Sequence, residues 1–241
     1  MLRTILDFVL PPRCRICDAS TMDMPNPWVC EDCWLQVDYI TSSICYQCGQ
    51  PLAAPPEGIA SAQHRCGNCL LHPPPFDRAR AVGLYRGVLM HVIHAMKYQR
   101  IYALIHPLAD LLQSQFNYHW GDAMPDVLVP VPLHWRRLHQ REFDQASALA
   151  LELSRRLGIP LDVDMLRRHH YTQSQVGLSA EARRRNVRDA FRLGDAPRCR
   201  DKRILLIDDV LTTGATAWEC AHLLARADAA RVDVYTLARV E

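Results

Sequence analysis

The chain of 241 residues lacks any apolar run close to the roughly 18 to 20 residues that a membrane span requires, and His91 and His94 interrupt even the stretch around Leu89 to Met96. Membrane insertion is therefore not expected. Lysine is almost missing, Lys97 and Lys202 being the only two, and a formal net charge of +2 is too small to argue for a nucleic-acid partner by itself. The positive charge is carried by arginine, clustered at Arg136, Arg137 and Arg141 and again at Arg183, Arg184, Arg185, Arg188 and Arg192. An export signal is also not expected. Met1 to Leu10 has one arginine and a short apolar run, and Pro11 and Pro12 follow without a small-residue cleavage site. These absences point to a cytoplasmic protein. Apolar residues at 49% and charged residues at 22% exclude wholesale disorder, and the length suits one ordinary domain plus a small one.

Cysteine is abundant. Eight of the ten cysteines form four CxxC pairs: Cys14 and Cys17, Cys30 and Cys33, Cys45 and Cys48, Cys66 and Cys69. A reduced compartment favours metal over disulfides for such pairs. Each CxxC bends into a knuckle that aims two thiolates at one ion, so two knuckles close one tetrahedral zinc site and four predict two sites. Asp18 follows the first pair and Gly49 the third, and both residue types tolerate the left-handed backbone of a tight knuckle. Trp34 and Leu70 follow the other two pairs, which suggests an internal duplication with Cys14–Cys33 and Cys45–Cys69 as successive ribbons. Sequential pairing is expected. Spacing alone also allows an interleaved arrangement, or His64 or His72 in place of a ligand. Closed Cys₄ sites leave no position for substrate, so the zinc would be structural, with docking of a protein or nucleic acid as the alternative role. Cys199 and Cys220 read as ordinary thiols.

Pro73-Pro74-Pro75 breaks regular structure and divides the chain into residues 1–75 and 76–241. Beyond it, Arg78 to Tyr85 reads as a strand, Val88 to Tyr98 and Ile101 to Phe116 as helices, and Asp126 to Val131 as a buried strand. Asp144 can N-cap a helix that Gly158 ends. A strand or hairpin is expected around Leu161 to Arg168, then a basic excursion from Thr172 to Phe191 with a short helix from Ser179. Ile204 to Ile207 marks a strand buried on both faces and ending at Asp208. A helix opens at Thr212 or Thr213, and Val232 to Ala238 closes the sheet. This alternation predicts an α/β fold with a mostly parallel sheet flanked by helices.

The segment Ile207 to Ala217, IDDVLTTGATA, falls where a parallel strand meets a helix, the usual ligand position in open α/β sheets. Asp208 and Asp209 can accept hydrogen bonds from vicinal ribose hydroxyls or help order magnesium. Thr212, Thr213, Gly214, Ala215 and Thr216 present hydroxyls and backbone N–H groups at a helix N-terminus, where a phosphate is favoured. Together they describe a site for a ribose 5-phosphate, and the motif resembles the binding signature of type I phosphoribosyltransferases. Pro130 to Leu133, with Pro132 and Leu133 at its turn, is similar to the pyrophosphate loop of that fold, and Arg137 and Arg141 follow as its basic groups.

The whole chain resembles the ComF family of bacterial competence and DNA-utilisation proteins. The likeness rests on the four CxxC pairs, PPPF at Pro73 to Phe76, MKY at Met96 to Tyr98, and PVPLHWRR from Pro130. It continues through T-x-x-Q-x-x-L from Thr172, the RRN ending at Asn186 with Phe191 beyond it, and IDDVLTTGAT. The resemblance implies a double zinc ribbon before a type I phosphoribosyltransferase-like domain that binds phosphoribosyl pyrophosphate with magnesium. It also implies a flexible loop carrying Thr172, Gln175, Arg184 and Asn186. Where members usually read RGFNQ, this chain has Glu142 and Asp144; the first weakens the expected diphosphate contact, and the second still caps its helix. Lys97 reads as a solvated helix end. The competing readings are a catalytic transferase, a single-stranded-DNA-binding uptake factor working with DNA-uptake proteins through the same pocket and arginine patches, and a ligand sensor without turnover.

Overall fold

A computed structural model of the chain describes residues 11–22, 24, 27–41, 43–53, 64–133, 143–169, 189–194 and 198–241. Met1 to Leu10, Arg137, Arg141, Glu142 and the loop residues Thr172, Gln175, Arg184 and Asn186 lie outside them, as do Arg136, Arg183, Arg185 and Arg188.

The N-terminal segment repeats one small pattern. In the first copy Arg13 bridges Ser20, Asp18 N–H donates to Cys14 O, and Arg15 N–H to Trp28 O. In the second, Ile44 bridges Pro51, Gly49 N–H donates to Cys45 O, and Tyr46 N–H to His64 O. Each copy ends in a short helix, α1 (Glu31–Trp34) and α2 (Gly67–Leu71). Asp18 and Gly49 adopt the left-handed backbone expected of them, with φ of 61° and 70°. The duplication legible in the cysteine spacing is thus present in the hydrogen bonding.

After Pro75 the chain builds β1 (Arg78–Leu84), α3 (Gly87–Tyr98), α4 (Ile105–Trp120), β2 (Val127–Pro130) and α5 (Gln145–Leu157). Then come β3 (Leu166–Arg168), β4 (Phe191–Leu193), β5 (Arg203–Leu211), α6 (Ala215–Arg226) and β6 (Arg231–Arg239). Four strands form a parallel sheet in the order β1-β6-β5-β2, and β3 and β4 form a separate antiparallel pair. Asp144 caps α5 through a bond from Ser147 N–H, and Gly158 ends it in the left-handed region.

Helix α4 lies four residues later than the expected Ile101 to Phe116, and the end of β5 and the start of α6 also differ from expectation. β5 runs through both aspartates to Leu211, because β6 continues beside it and pairs Asp208 with Thr236 and Leu211 with Arg239. α6 begins at Ala215, with Gly214 as its N-cap at φ 76°, so Thr212 and Thr213 form a turn rather than a first helical turn.

Residues alternate across β5, Leu205 and Ile207 on one face and Ile204 and Leu206 on the other, as the period of a strand requires. Each ribbon joins a different face. Cys14, Cys30, Cys33 and Val37 pack into the core with Leu89, Phe116, Leu149 and Tyr235. Cys45, Cys48, Cys69 and Phe76 pack with Val129, Ala217, Leu224 and Val234 on the opposite side. The chain between and within the ribbons also covers the edge of β1. Ile40 N–H donates to Val82 O, Leu84 N–H to Asp38 O, and Ala79 N–H to Gln47 O, so the sheet edge has backbone partners.

The second knuckle sits so close to β1 that a Cβ built on Gly49 would lie 2.4 Å from Ala79 O. At Gly158, with a similar φ of 68°, a Cβ would meet nothing within 4 Å. Gly158→Ala is therefore expected to cost about 1 kcal/mol of backbone strain. Gly49→Ala should cost roughly 2 kcal/mol more, because the knuckle must also move off the sheet. Urea unfolding of the zinc-loaded variants measures both, and equal costs would contradict this docking.

Candidate functional site

The eight paired cysteines fall into two clusters in chain order, Cys14, Cys17, Cys30 and Cys33, then Cys45, Cys48, Cys66 and Cys69. All the sulfurs within each cluster lie within 4.8 Å of one another. Individual separations are 3.7 Å for Cys14 to Cys33, 3.5 Å for Cys17 to Cys30 and 3.7 Å for Cys48 to Cys66. Tetrahedral zinc with Zn–S of about 2.3 Å places its sulfurs roughly 3.8 Å apart, whereas a disulfide needs about 2.05 Å. The sets fit two Cys₄ zinc sites, paired sequentially, and neither His64 nor His72 joins them. Backbone N–H groups of Ile16 and Cys30 point at the Cys14 sulfur, and those of Cys48 and Cys66 at the Cys45 sulfur. Burial pushes the Cys69 thiol up to about 12, a cost that a bound cation removes by taking the thiolate. Cys199 and Cys220 are both buried and belong to neither site.

The second centre of chemistry lies at the C-terminal end of β5. Asp208 and Asp209 follow the buried Ile204 to Ile207 run, beyond the point where β2 stops pairing at Pro130 opposite Ile207. Val131 N–H makes one more bond to Ile207 O, and Pro132 and Leu133 then leave the sheet beside the acids. Asp208 Oδ1 accepts from Asp209 N–H at 2.8 Å, fixing the turn of the pair.

Lys97, on α3, reaches across to Asp209 with Nζ 2.7 Å from Oδ1, both side chains only 14% exposed. The sequence reading of a solvated helix end is corrected here. Burial works against the Lys97 charge, but the carboxylates of Asp209 and Asp208 outweigh it and raise the pKa, so the ammonium persists. Asp144 adds a third carboxyl to this neighbourhood. Its own burial raises its pKa, opposed by Ser147, and Asp209 pushes it further up. Asp208 is raised to about 8 by burial first and by the Asp209 charge second, with Lys97 pulling the other way. Asp208 is thus able to keep its proton beside the Lys97–Asp209 ion pair.

Thr212 and Thr213 continue from β5 into the turn before α6. Ala215 N–H points at Thr213 Oγ1 at 3.5 Å, while among the described residues the N–H groups of Thr212, Thr213 and Gly214 have no protein partner. Unpartnered amides at the start of α6 can take an anion. The structure brings together Asp208, Asp209, the 212–216 turn and the Pro132–Leu133 exit. Arg137, Arg141 and the expected loop residues lie outside the described region.

Asp208 has a folded-state pKa of about 8 against an ordinary 3.8, so the folded chain holds a proton that the unfolded chain releases in this window. Its neutral form contributes fully below the unfolded value, and the contribution is lost as pH rises through the folded one. Asp208→Asn cannot ionise. Relative to the parent, its unfolding free energy should therefore gain up to about 1.4 kcal/mol per pH unit between roughly pH 4 and 8. Denaturant titrations across that range measure the difference, and a flat difference would contradict the buried acid.

Comparison with known proteins agrees with both halves. Residues 5–70 match the double zinc ribbon domain family, and residues 144–241 match the phosphoribosyl transferase domain family. DNA utilization protein YhgH of Salmonella typhimurium is 35% identical over 95% of this chain and 98% of its own length. Competence protein F of Haemophilus influenzae is 33% identical over 94% and 96%. Among solved structures, the glutamine phosphoribosylpyrophosphate amidotransferase of B. subtilis is similar at a TM-score of 0.38 and 20% identity, covering 55% of this chain and 26% of that one. That likeness is too distant to carry weight. No described helix is long and apolar enough to cross a membrane. With a double zinc ribbon, a phosphoribosyl transferase domain and end-to-end identity to these relatives, the chain belongs to the ComF family of competence and DNA-utilisation proteins.

Proposed function

We propose that the chain binds phosphoribosyl pyrophosphate, with magnesium, at the end of β5. The observation that supports this most directly is the juxtaposition of a half-buried acid pair with a turn in which the Thr212, Thr213 and Gly214 N–H groups lack protein partners among the described residues. In this reading Asp208 and Asp209 hold the ribose hydroxyls. A carboxylate accepts from one hydroxyl, and a protonated neighbour can donate to the other oxygen. The turn from Thr212 through Thr213, Gly214, Ala215 and Thr216 takes the 5-phosphate. Pro132 and Leu133, followed by Arg137 and Arg141, face the diphosphate, and the segment with Thr172, Gln175, Arg184 and Asn186 closes over the sugar.

Among the described residues the cysteine clusters are the only groups of three or more ligands close enough to hold a metal. Asp208 or Asp209 would help hold magnesium brought with the diphosphate, and the ion would offset the charge of the leaving group. Lys97 holds Asp209 in place through their 2.7 Å ion pair. Transfer of the ribosyl group to a nitrogenous base needs positioning and charge stabilisation rather than a protein nucleophile. The relatives are named for competence and DNA utilisation, and we extend that setting to this chain as a cytoplasmic protein that works with the DNA-uptake machinery.

Calorimetric titration is expected to show saturable phosphoribosyl pyrophosphate binding that needs magnesium. Asp208→Asn combined with Asp209→Asn should weaken it about thirtyfold or more, as losing one hydrogen bond to a charged group and one to a neutral carboxyl implies. Diphosphate release on adding the right base would establish turnover. Equal binding by the double variant, or tight binding only to single-stranded DNA with a steep salt dependence, would overturn the proposal.

A further inference from the structure

The second zinc knuckle and the threonine turn share a cavity. It has a volume of about 80 Å³ and is bordered from the ribbon side by Cys48, Asn68, Cys69 and His72, and from the sheet side by Thr213, Gly214 and Ala215. Arg239, the last residue of β6, borders the same cavity. Its register places it opposite Leu211, immediately before the turn.

The Arg239 side chain joins the two walls. Nη1 donates to Cys48 O at 2.7 Å and Nη2 lies 3.8 Å from the Cys48 sulfur. Nε is buried without a hydrogen-bond partner, in a residue only 8% exposed. Arg239 is one of the residues that border the cavity, so its guanidinium charge stands in that wall. Thr213 and Gly214, whose N–H groups have no protein partner among the described residues, border it from the opposite side. A cation on one side and a helix start on the other favour an oxyanion. The volume leaves room for a phosphoryl group.

Electrostatics explains why an arginine stands there. A zinc ion with four thiolates is net anionic and would repel a phosphate placed beside it. A guanidinium between the two satisfies both, donating to a zinc-bound sulfur as an outer partner of the metal and facing the anion with its remaining edge. The first ribbon has no such connection, since its cysteines pack on the opposite face of the sheet.

We propose that the second zinc ribbon forms one wall of the phosphate subsite, with Arg239 as its buried cation, so that anion binding depends on the second zinc and not on the first. This rests on the reading of the turn as a phosphate site and adds the ribbon, the arginine and the metal dependence to it. The group bound is a phosphate monoester or inorganic phosphate. Trp218 borders the cavity and is partly exposed, stacked on His222 at 5.0 Å, which makes it a reporter of occupancy.

The experiment uses the full chain with four variants, Cys17→Ser in the first ribbon, Cys66→Ser in the second, Arg239→Lys and Arg239→Met. Zinc content is measured by elemental analysis, and affinity by calorimetry and Trp218 fluorescence, with inorganic phosphate and with magnesium phosphoribosyl pyrophosphate as probes. Arg239→Met with both zincs retained should bind either probe about tenfold more weakly or worse, and Arg239→Lys should recover part of the loss. Cys66→Ser, lacking one zinc, should show a loss of the same size. Cys17→Ser, also lacking one zinc, should stay within about twofold of the parent, as for a distant independent site. If Cys66→Ser does not fold, the two Arg239 variants decide the matter. Parent-like affinity in Arg239→Met, or equal losses in both cysteine variants where both fold, overturns the proposal while leaving the phosphoribosyl reading intact. Binding of inorganic phosphate but not of phosphoribosyl pyrophosphate, with the same variant pattern, overturns that reading and keeps the subsite. A parent that binds neither probe overturns both.

Discussion

The pairing of β5 with β6 is the constraint on which the other features rest. Because β6 accompanies β5 through Leu211, two aspartates are carried past the end of β2 into a position with one strand neighbour among the described residues. Such a position is costly for adjacent acids. Lys97 makes it tolerable by neutralising Asp209 at 2.7 Å, and Asp208 escapes by keeping a proton. A buried ion pair is weak evidence for stability and stronger evidence for a site whose charge state is controlled. The same register places Arg239 opposite Leu211, where both border a cavity with Thr213 and Gly214, so one strand pair positions the acids and this neighbouring cavity alike.

The zinc ribbons are integral to that arrangement. Cys14, Cys30 and Cys33 are core residues on one face of the sheet and Cys45, Cys48 and Cys69 on the other, and the surrounding chain pairs with the edge of β1. A small module with little apolar area of its own gains stability from zinc and from a shared core. The sheet in turn gains an edge that cannot recruit another strand.

Much of this was legible in the residues. Four CxxC pairs with Asp18 and Gly49 behind alternate knuckles pointed to two sites and two left-handed turns, while the sequential pairing, expected beside an interleaved alternative that spacing left open, is seen only in the fold. Asp144 and Gly158 specified the ends of α5 through local chemistry. The illegible parts are long-range. Lys97 is one charged residue in the last turn of a helix, and nothing nearby in sequence reveals that its partner lies on β5. Arg239 follows an apolar strand, as many solvated residues do, yet it closes on Cys48 at the other end of the chain. The end of β5 was misplaced because charge after an apolar run ordinarily marks a strand's exit into water. Here the lysine supplied what water would have.

The central claim is that one cavity at the end of β5 receives both the sugar hydroxyls and the terminal phosphate of the same ligand. A crystal structure of the chain soaked with phosphoribosyl pyrophosphate and magnesium tests it directly. The account predicts ribose hydroxyls on Asp208 and Asp209, and the 5-phosphate on the N–H groups of Thr212 to Gly214 facing Arg239. Ligand density elsewhere, with the Lys97 to Asp209 pair undisturbed and the turn empty, would contradict it.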